Sequence, residues 1–459
     1  METTRVYLVA SILVGASVAV SGLSAASAQT GALARKAMLG VAIETVAGGA
    51  RVLQVNPGST AAQAGIRTGD VITAVNGATV TDTTALVARA DELRSGQPVS
   101  LSYLRQGKAS SGEALAVARP MESYERAKAT YGAVAFRGGL LRNIMVTPDT
   151  AKKNGPVVYL LQGYYCATME GPNAAHPYRA LAQGLADRGI ATYRVEKPGM
   201  GDSQCGPSCF DMDFDAELSA FREGLRTLIN TYGVAPSRIV LLGHSMGGVE
   251  APVLAAETPG LRGLAVYGTV MRNWHDYMQD LFRLQSLFSV GADPADNEAL
   301  AEAMRPILNR IFMEEAPLKQ IASEITGSEQ LLREALWWDG EDQILGRSVA
   351  YWRGVGQQRL AAAWRDANAP TLAVYGQVDY AAIDDRDHRL IVDVVNHYRP
   401  GPASYAMLAR TGHGFGLEGA PEEARAANRA AGGQVANAAY NPELTKVLAD
   451  WIAGLPAPS

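Results

Sequence analysis

The chain has little of what marks several common protein classes. Basic residues are not in excess: 41 Lys and Arg face 46 Asp and Glu, a formal net charge of -5 over 459 residues. No basic block offsets that balance, which argues against nucleic acid as the main partner. No Cys/His cluster has zinc-ligand spacing and no Walker-type phosphate loop is present, so no metal and no organic cofactor is expected. Beyond the first residues, no run is apolar enough to cross a membrane. Internal repeats are missing, the 22 prolines are dispersed, and the one low-complexity tract is the small-residue stretch 420–439. What is present is a globular composition, 19% charged and 47% hydrophobic, with length for two or three domains and a large core.

The first residues read as an export signal. Arg5 precedes an apolar stretch, Val6 to Val20, and then Ala26-Ser27-Ala28 in the A-x-A pattern of a cleavage site. Cleavage before Gln29 is expected, with residues 1–28 removed and a periplasmic or secreted product that keeps no membrane span. The alternative is an uncleaved anchor, although the run is short for a span of about 20 residues. Export gives weight to the few cysteines, Cys166, Cys205 and Cys209. An oxidising compartment favours one disulfide and one remaining thiol. Cys166 with Cys209 is the expected pair, because both fall in loops at the same end of the expected sheet; three reduced thiols are the alternative.

Two regions differ in pattern. Residues 38–118 hold short strand-like runs, a small-residue helix near Ala61 to Ala64, and an amphipathic helix from Thr83 to Leu93. The series Pro57-Gly58-Ser59, Ala64-Gly65-Ile66, Gly69-Asp70-Val71-Ile72 and Val75-Asn76-Gly77 closely resembles a bacterial-type PDZ domain over the whole unit. PDZ domains add an extended peptide to a strand edge and capture its terminal carboxylate on backbone amides. The resemblance implies that Leu39, Gly40 and Val41 form that carboxylate loop and that a peptide C-terminus is a partner. The alternative is a module that only packs or spaces. Residues 119–126 read as a linker.

From residue 127 to 459 strands alternate with helices, which implies a mostly parallel sheet covered on both faces. An interruption at about 269–368 is helical and holds Trp274, Trp337, Trp338, Trp352 and Trp364, together with Phe282, Phe288 and Phe312. These aromatics line an apolar pocket or fill the core of a small inserted cap.

The apolar run Ile239 to Leu242 leads into Gly243-His244-Ser245-Met246-Gly247 and then a helical segment. That is the G-x-S-x-G nucleophile elbow in its strand-turn-helix context. Gly243 and Gly247 are expected where a Cβ would collide with a neighbouring element. The region 127–459 thus resembles an α/β-hydrolase with a helical cap, preceded by the small β-rich PDZ domain. The family's chain order is nucleophile, acid, histidine. The resemblance implies Ser245 as nucleophile, Asp379 in Gly376-Gln377-Val378-Asp379 as the acid, and His413 after the last strand as the base. Asp384, Asp385 and Asp387 are nearby alternatives that read as a solvated helix start. Of the six histidines, His176 and His275 precede the acid, His388 and His397 fall in or near a helix, and His244 is inside the elbow. The oxyanion hole is expected from the amides of Met246 and of Tyr164 in Gln162-Gly163-Tyr164, where the family often has His-Gly.

The expected function is hydrolysis of an ester or related acyl bond in a small-molecule substrate. One alternative is an aminopeptidase on the same three residues, with Glu314 and Glu315 as candidates for holding a substrate amine. The other is a PDZ-based peptide-binding protein with an inactive hydrolase fold.

Overall fold

Residues 33–171, 173–431 and 438–456 are described in the computed structural model. The expected export segment, 1–28, lies outside them. The chain divides into two units whose border falls between Met121 and Glu122.

Short alternating runs build the antiparallel sheet of the first unit: β1 (Val41–Val46), β2 (Gly49–Val55), β3 (Val71–Val75), β4 (Ala78–Thr79), β5 (Pro98–Arg105) and β6 (Lys108–Leu115). Its order is β1-β2-β3-β5-β6, with β4 beside β3. Helices α1 (Thr60–Gln63) and α2 (Thr83–Glu92) start at Ser59 and Asp82, whose side chains accept from Ala62 N–H and Ala85 N–H. Short polar residues at these positions satisfy backbone donors that the first turn leaves unpaired. Val52, Ile72, Leu86, Val99 and Leu101 form the core. β1 is an outer strand, bonded to β2 on one side. Gly40 precedes it at φ +75°, where an added Cβ would come within 2.2 Å of Ser59 Cβ, so glycine is required.

The second unit opens with a hairpin, β7 (Ala127–Phe136) and β8 (Gly139–Pro148). Its two turn residues, Arg137 and Gly138, both have positive φ, the turn that matches strand twist. Parallel strands follow: β9 (Val157–Leu161), β10 (Ala191–Val195), β11 (Ile239–His244) and β12 (Gly263–Tyr267). The inserted segment contributes a two-stranded ribbon, β13 (Gln343–Ile344) and β14 (Arg347–Ser348), before β15 (Thr371–Gly376) and β16 (Ala403–Leu408) complete the main sheet. The main order is β16-β15-β12-β11-β9-β10-β8-β7. Every residue of β9, β10, β11, β12 and β15 is buried, as expected for parallel strands covered on both faces.

Period two decides which helices cover each face. Val157, Tyr159 and Leu161 of β9 share a core with α4 (Phe214–Asn230) and α5 (Gly247–Glu257). Val158 and Leu160 pack with α3 (Pro177–Ala186) and α15 (Pro442–Gly454). Between β12 and β15 the cap is built from α6 (Trp274–Asp280), α7 (Ser286–Val290), α8 (Pro294–Phe312), α9 (Leu318–Glu324), α10 (Ser328–Leu336), α11 (Val349–Gly356) and α12 (Leu360–Asp366). Then α13 (Arg386–Tyr398) links the last two strands and α14 (Pro421–Ala430) follows them. No described helix is long and apolar enough to cross a membrane.

Two details depart from the sequence reading, and a third divides between the two roles it left open. Glu122, in the stretch expected as a linker, is buried in an ion pair with buried Arg194, so packing of the second unit begins inside 119–126. Asp384 and Asp385 border the start of α13, but Asp387 is buried and held by Arg272 at 2.9 Å, so that helix start is only partly solvated. The cap tryptophans divide between two roles. Trp274 stacks on Trp352 with centroids 4.9 Å apart, and both face a cavity, whereas Trp364 is fully buried in the core.

Candidate active site

The elbow is positioned by close approach of three elements. β11 ends at His244, and Ser245 takes φ +55° before α5 begins at Gly247. A positive φ is costly for a residue with a Cβ and marks stored strain. Ser245 N–H donates to Tyr267 O and Ser245 O accepts from Gly248 N–H, each at 2.9 Å, which pins the turn. An added Cβ on Gly243 would lie 2.4 Å from Gly247 O, and one on Gly247 would lie 2.2 Å from Leu161 O. No side chain fits at either position. The half-buried Ser245 therefore projects into the cavity at the carboxyl ends of the strands.

Asp379 and His413 come to the same place from the ends of β15 and β16. The buried Asp379 carboxylate receives His413 Nδ1 at 2.9 Å and 3.0 Å, and its Oδ1 also accepts from Ala382 N–H at 3.0 Å. Gly268, after β12, makes room for this pair: at φ +61° its Cβ would meet Asp379 Oδ2 at 2.5 Å and His413 Nδ1 at 2.9 Å. The loop carrying His413 is tied down by Tyr267 Oη, which donates to Gly412 O at 2.7 Å.

Electrostatics separate the titrating groups. Burial pulls His413 down, but the charge and hydrogen bond of Asp379 and the nearby Glu418 outweigh it, leaving the imidazole above its ordinary value. Burial pushes Asp379 up, yet His413 and the Ala382 amide hold it below the usual carboxylate range. Glu418 is raised to about 7 by burial and by Asp379. His244 behaves oppositely to His413. Burial and the neighbouring His413 hold it down to about 3. It therefore stays neutral, with Nδ1 beside Tyr178 Oη at 2.8 Å and Nε2 beside His413 O at 2.9 Å. A carbonyl can only accept, so Nε2 carries the proton and Tyr178 donates to Nδ1.

Ser245, Met246, Tyr164 and His413 line one cavity of about 100 Å³. Its other walls are mainly apolar and aromatic, among them Trp274, Tyr277, Met278, Leu281 and Trp352, and they include no Asp, Glu, Lys or Arg. The N–H groups of Tyr164 and Met246 have no acceptor among the described residues. An imidazole committed at Nδ1 to a carboxylate, a strained serine and two unengaged amides around an apolar cavity form an arrangement competent for acyl transfer.

The other candidates fall elsewhere. Glu314 pairs with Arg310 at 3.1 Å and Glu315 accepts from Gln357 at 2.8 Å; both are exposed, and neither lines the cavity. Cys166 and Cys209 have Sγ atoms 2.01 Å apart, with Cys205 as the free thiol. Leu39, Gly40 and Val41 lead into the outer strand β1, and the Leu39 and Gly40 amides have no acceptor among the described residues. No described cluster of His, Cys, Asp and Glu is placed to hold a metal ion.

Sequence reasoning did not single out Tyr178, Lys197, Glu217, Glu250 or Arg347, all of which surround the elbow and the Gly163–Tyr164 loop. The available signal was weak: Arg194, Glu196 and Lys197 are charged residues at the end of an otherwise apolar strand.

Comparison with known proteins agrees with this architecture. The PDZ domain family matches residues 37–114 and the alpha/beta hydrolase family matches residues 158–427. The periplasmic serine endoprotease DegP of Salmonella typhimurium is 49% identical over 61 residues, which is 13% of this chain and 13% of that protein. The multifunctional-autoprocessing repeats-in-toxin of Vibrio vulnificus is 27% identical over 210 residues, 46% of this chain and 4% of the toxin. This chain thus spans only a small part of the length of either relative. Among solved structures, Est1E from Butyrivibrio proteoclasticus aligns at a TM-score of 0.42 and 15% identity, over 70% of this chain and 97% of its own. Proline iminopeptidase from Mycobacterium smegmatis aligns at 0.43 and 19%, over 71% and 98%. With the hydrolase match covering 158–427 of 459 residues and a PDZ match ahead of it, the chain belongs to the alpha/beta hydrolase family and carries an N-terminal PDZ domain.

Proposed function

We propose that the protein is an exported serine hydrolase that cleaves esters or related acyl bonds through an acyl-enzyme. The observation that carries this reading is the Asp379–His413 pair at the cavity into which Ser245 projects. In this mechanism Ser245 Oγ attacks the acyl carbon and its proton passes to His413 Nε2. The tetrahedral oxyanion is received by the Tyr164 and Met246 amides. Collapse expels the alcohol, which takes the proton from His413. Water then repeats the sequence on the acyl-enzyme, with His413 again as base, and releases the acid. Asp379 holds the Nδ1–H tautomer and balances the imidazolium.

Esters are favoured over peptides on the chemistry of the cavity. An aminopeptidase needs a carboxylate against the substrate ammonium, and no lining residue supplies one. The cavity of about 100 Å³ is small beside the usual ligand pocket of about 300 Å³ or more, so short or flat aromatic acyl groups fit best. Export is supported by the N-terminal pattern, and a Cys166–Cys209 disulfide suits an oxidising compartment. Residues 38–118, with the outer edge of β1 and the turn at Gly40, are read as a PDZ module that receives a peptide C-terminus.

Two measurements test the reading. A fluorophosphonate probe should label Ser245, and short p-nitrophenyl esters should turn over while aminoacyl naphthylamides do not. Preference for the amides would transfer the assignment to a peptidase, and no labelling would remove it. The second is the pH profile of kcat/KM. The base works only as neutral imidazole, so activity is lost as pH falls through the His413 pKa. Because that pKa is raised, the acid limb should lie above the ordinary histidine value; a profile flat between about pH 5 and 8 would contradict a histidine base.

A further inference from the structure

We infer that Lys197, with Arg347 beside it, is a positioning residue that aims the Tyr164 amide at the oxyanion by gripping the carbonyls on either side of that residue from the protein interior. The inference rests on the serine hydrolase reading above and extends it to residues outside the cavity.

Lys197 follows β10, and its Nζ donates to Gly163 O at 2.6 Å. Arg347, in β14 of the cap, donates from Nη1 to Tyr164 O at 2.7 Å. A trans peptide is planar, so the carbonyl of one residue and the amide of the next point in opposite directions. Drawing the Gly163 carbonyl towards Lys197 turns the Tyr164 N–H away from it. The adjoining Gly163 lies directly against the nucleophile, since a Cβ there would sit 2.9 Å from Ser245 Cβ. Arg347 holds the next peptide plane, so the orientation of Tyr164 is set from both sides. A cation on the Gly163 carbonyl also polarises that peptide and strengthens its N–H as a donor.

The two cations share one anchor. Lys197 Nζ is 3.0 Å from Glu217 Oε1 and Arg347 Nη2 is 2.9 Å from Glu217 Oε2, with all three side chains fully buried. Tyr351 Oη donates to the same carboxylate at 3.1 Å. Glu250, on the helix that Ser245 precedes, is also buried here; burial and the Glu217 charge push its carboxyl well above the usual range. A buried charge cluster is a weak source of stability, because desolvation offsets the attraction. What this one supplies is two donors directed at a single stretch of backbone. Burial and the Arg347 charge draw Lys197 down to about 8 against the pull of Glu217.

The test is Lys197→Met, which keeps the aliphatic stem and removes the donor and its charge. The variant leaves Arg347 paired with Glu217, so one cation still balances that buried carboxylate. On a p-nitrophenyl ester, kcat should fall by about 10- to 100-fold with KM within about twofold. Affinity for a trifluoromethyl ketone, which forms a tetrahedral adduct on serine, should fall in parallel with kcat. Unchanged kcat, or a loss carried by KM alone, would overturn the inference. Arg347→Lys is the second variant: it keeps a cation beside Glu217 but withdraws the fork from Tyr164 O. It should lower kcat less than Lys197→Met with KM unchanged, and a kcat equal to wild type there would also overturn the inference. Failure of the underlying reading looks different, since wild-type Ser245 would then escape fluorophosphonate labelling and Ser245→Ala would keep full turnover.

Discussion

Ser245→Ala is expected to lower kcat on a short p-nitrophenyl ester by about 10⁶-fold and to abolish fluorophosphonate labelling, with the fold unchanged. Folding should survive because the substitution removes one half-buried hydroxyl and no hydrogen bond of the turn. The bonds that pin the elbow, Ser245 N–H to Tyr267 O and Gly248 N–H to Ser245 O, are backbone bonds that alanine keeps. Alanine also meets the same left-handed φ of +55° that serine already tolerates. Residual turnover above the uncatalysed rate should persist, because the Tyr164 and Met246 amides would still receive an oxyanion formed by direct attack of water. Burst kinetics on the wild type measure the acyl-enzyme directly. Turnover in Ser245→Ala within tenfold of wild type would rule out the acyl-enzyme route.

Asp379→Asn is expected to cost about 10⁴-fold in kcat, and the reason is the direction of one proton. In the wild type the carboxylate can only accept, so His413 Nδ1 must carry hydrogen and Nε2 is left with a lone pair for Ser245. An asparagine can turn its amide towards Nδ1 and donate instead. The imidazole then carries its proton on Nε2 and cannot act as a base. The Ala382 amide, which Asp379 Oδ1 accepts at 3.0 Å, favours that orientation, because it claims the carbonyl oxygen of the new side chain. Removing the Asp379 charge also removes the main influence holding His413 above its ordinary value. The surviving activity should therefore show an acid limb moved to lower pH. Melting temperature separates this from misfolding: Asp379→Asn replaces a buried charge by a polar group of similar shape, and a variant that unfolds would lose the limb along with the rate.

Several parts of the molecule are legible in the sequence. Gly243 and Gly247 were readable because a turn with no room for a Cβ leaves only one residue type. The strands of the parallel core were readable as unbroken apolar runs. The PDZ unit was readable from glycines and small residues at turn positions, Gly58, Gly65, Gly69 and Gly77 among them. The family resemblance, with its chain order, then named Ser245, Asp379 and His413; Ser245 and His413 line one cavity, and Asp379 bonds His413 Nδ1.

Charge was the least legible property. Lys197, Glu217, Arg347 and Asp387 look in sequence like residues for a solvated face, yet each is buried. Glu217 stands in the first turn of α4, where an acidic residue ordinarily serves the helix end, and nothing local tells that the turn points inward. Its partners come from the segment after β10 and from the cap, far apart in the chain. Their pairing depends on how a strand end, a helix start and an inserted ribbon converge. The same applies to Trp274 and Trp352, which differ from Trp364 only in where the cap helices place them.

The sequence alone determined the alternation of strands with helices and the residue types of the elbow, because those follow from unbroken apolar runs and from local sterics. Only the tertiary structure decided which charges are buried together, which aromatics face the cavity and which backbone amides are left without acceptors. Those are relations between segments distant in the chain, and no local pattern of residues encodes the direction in which a buried donor points.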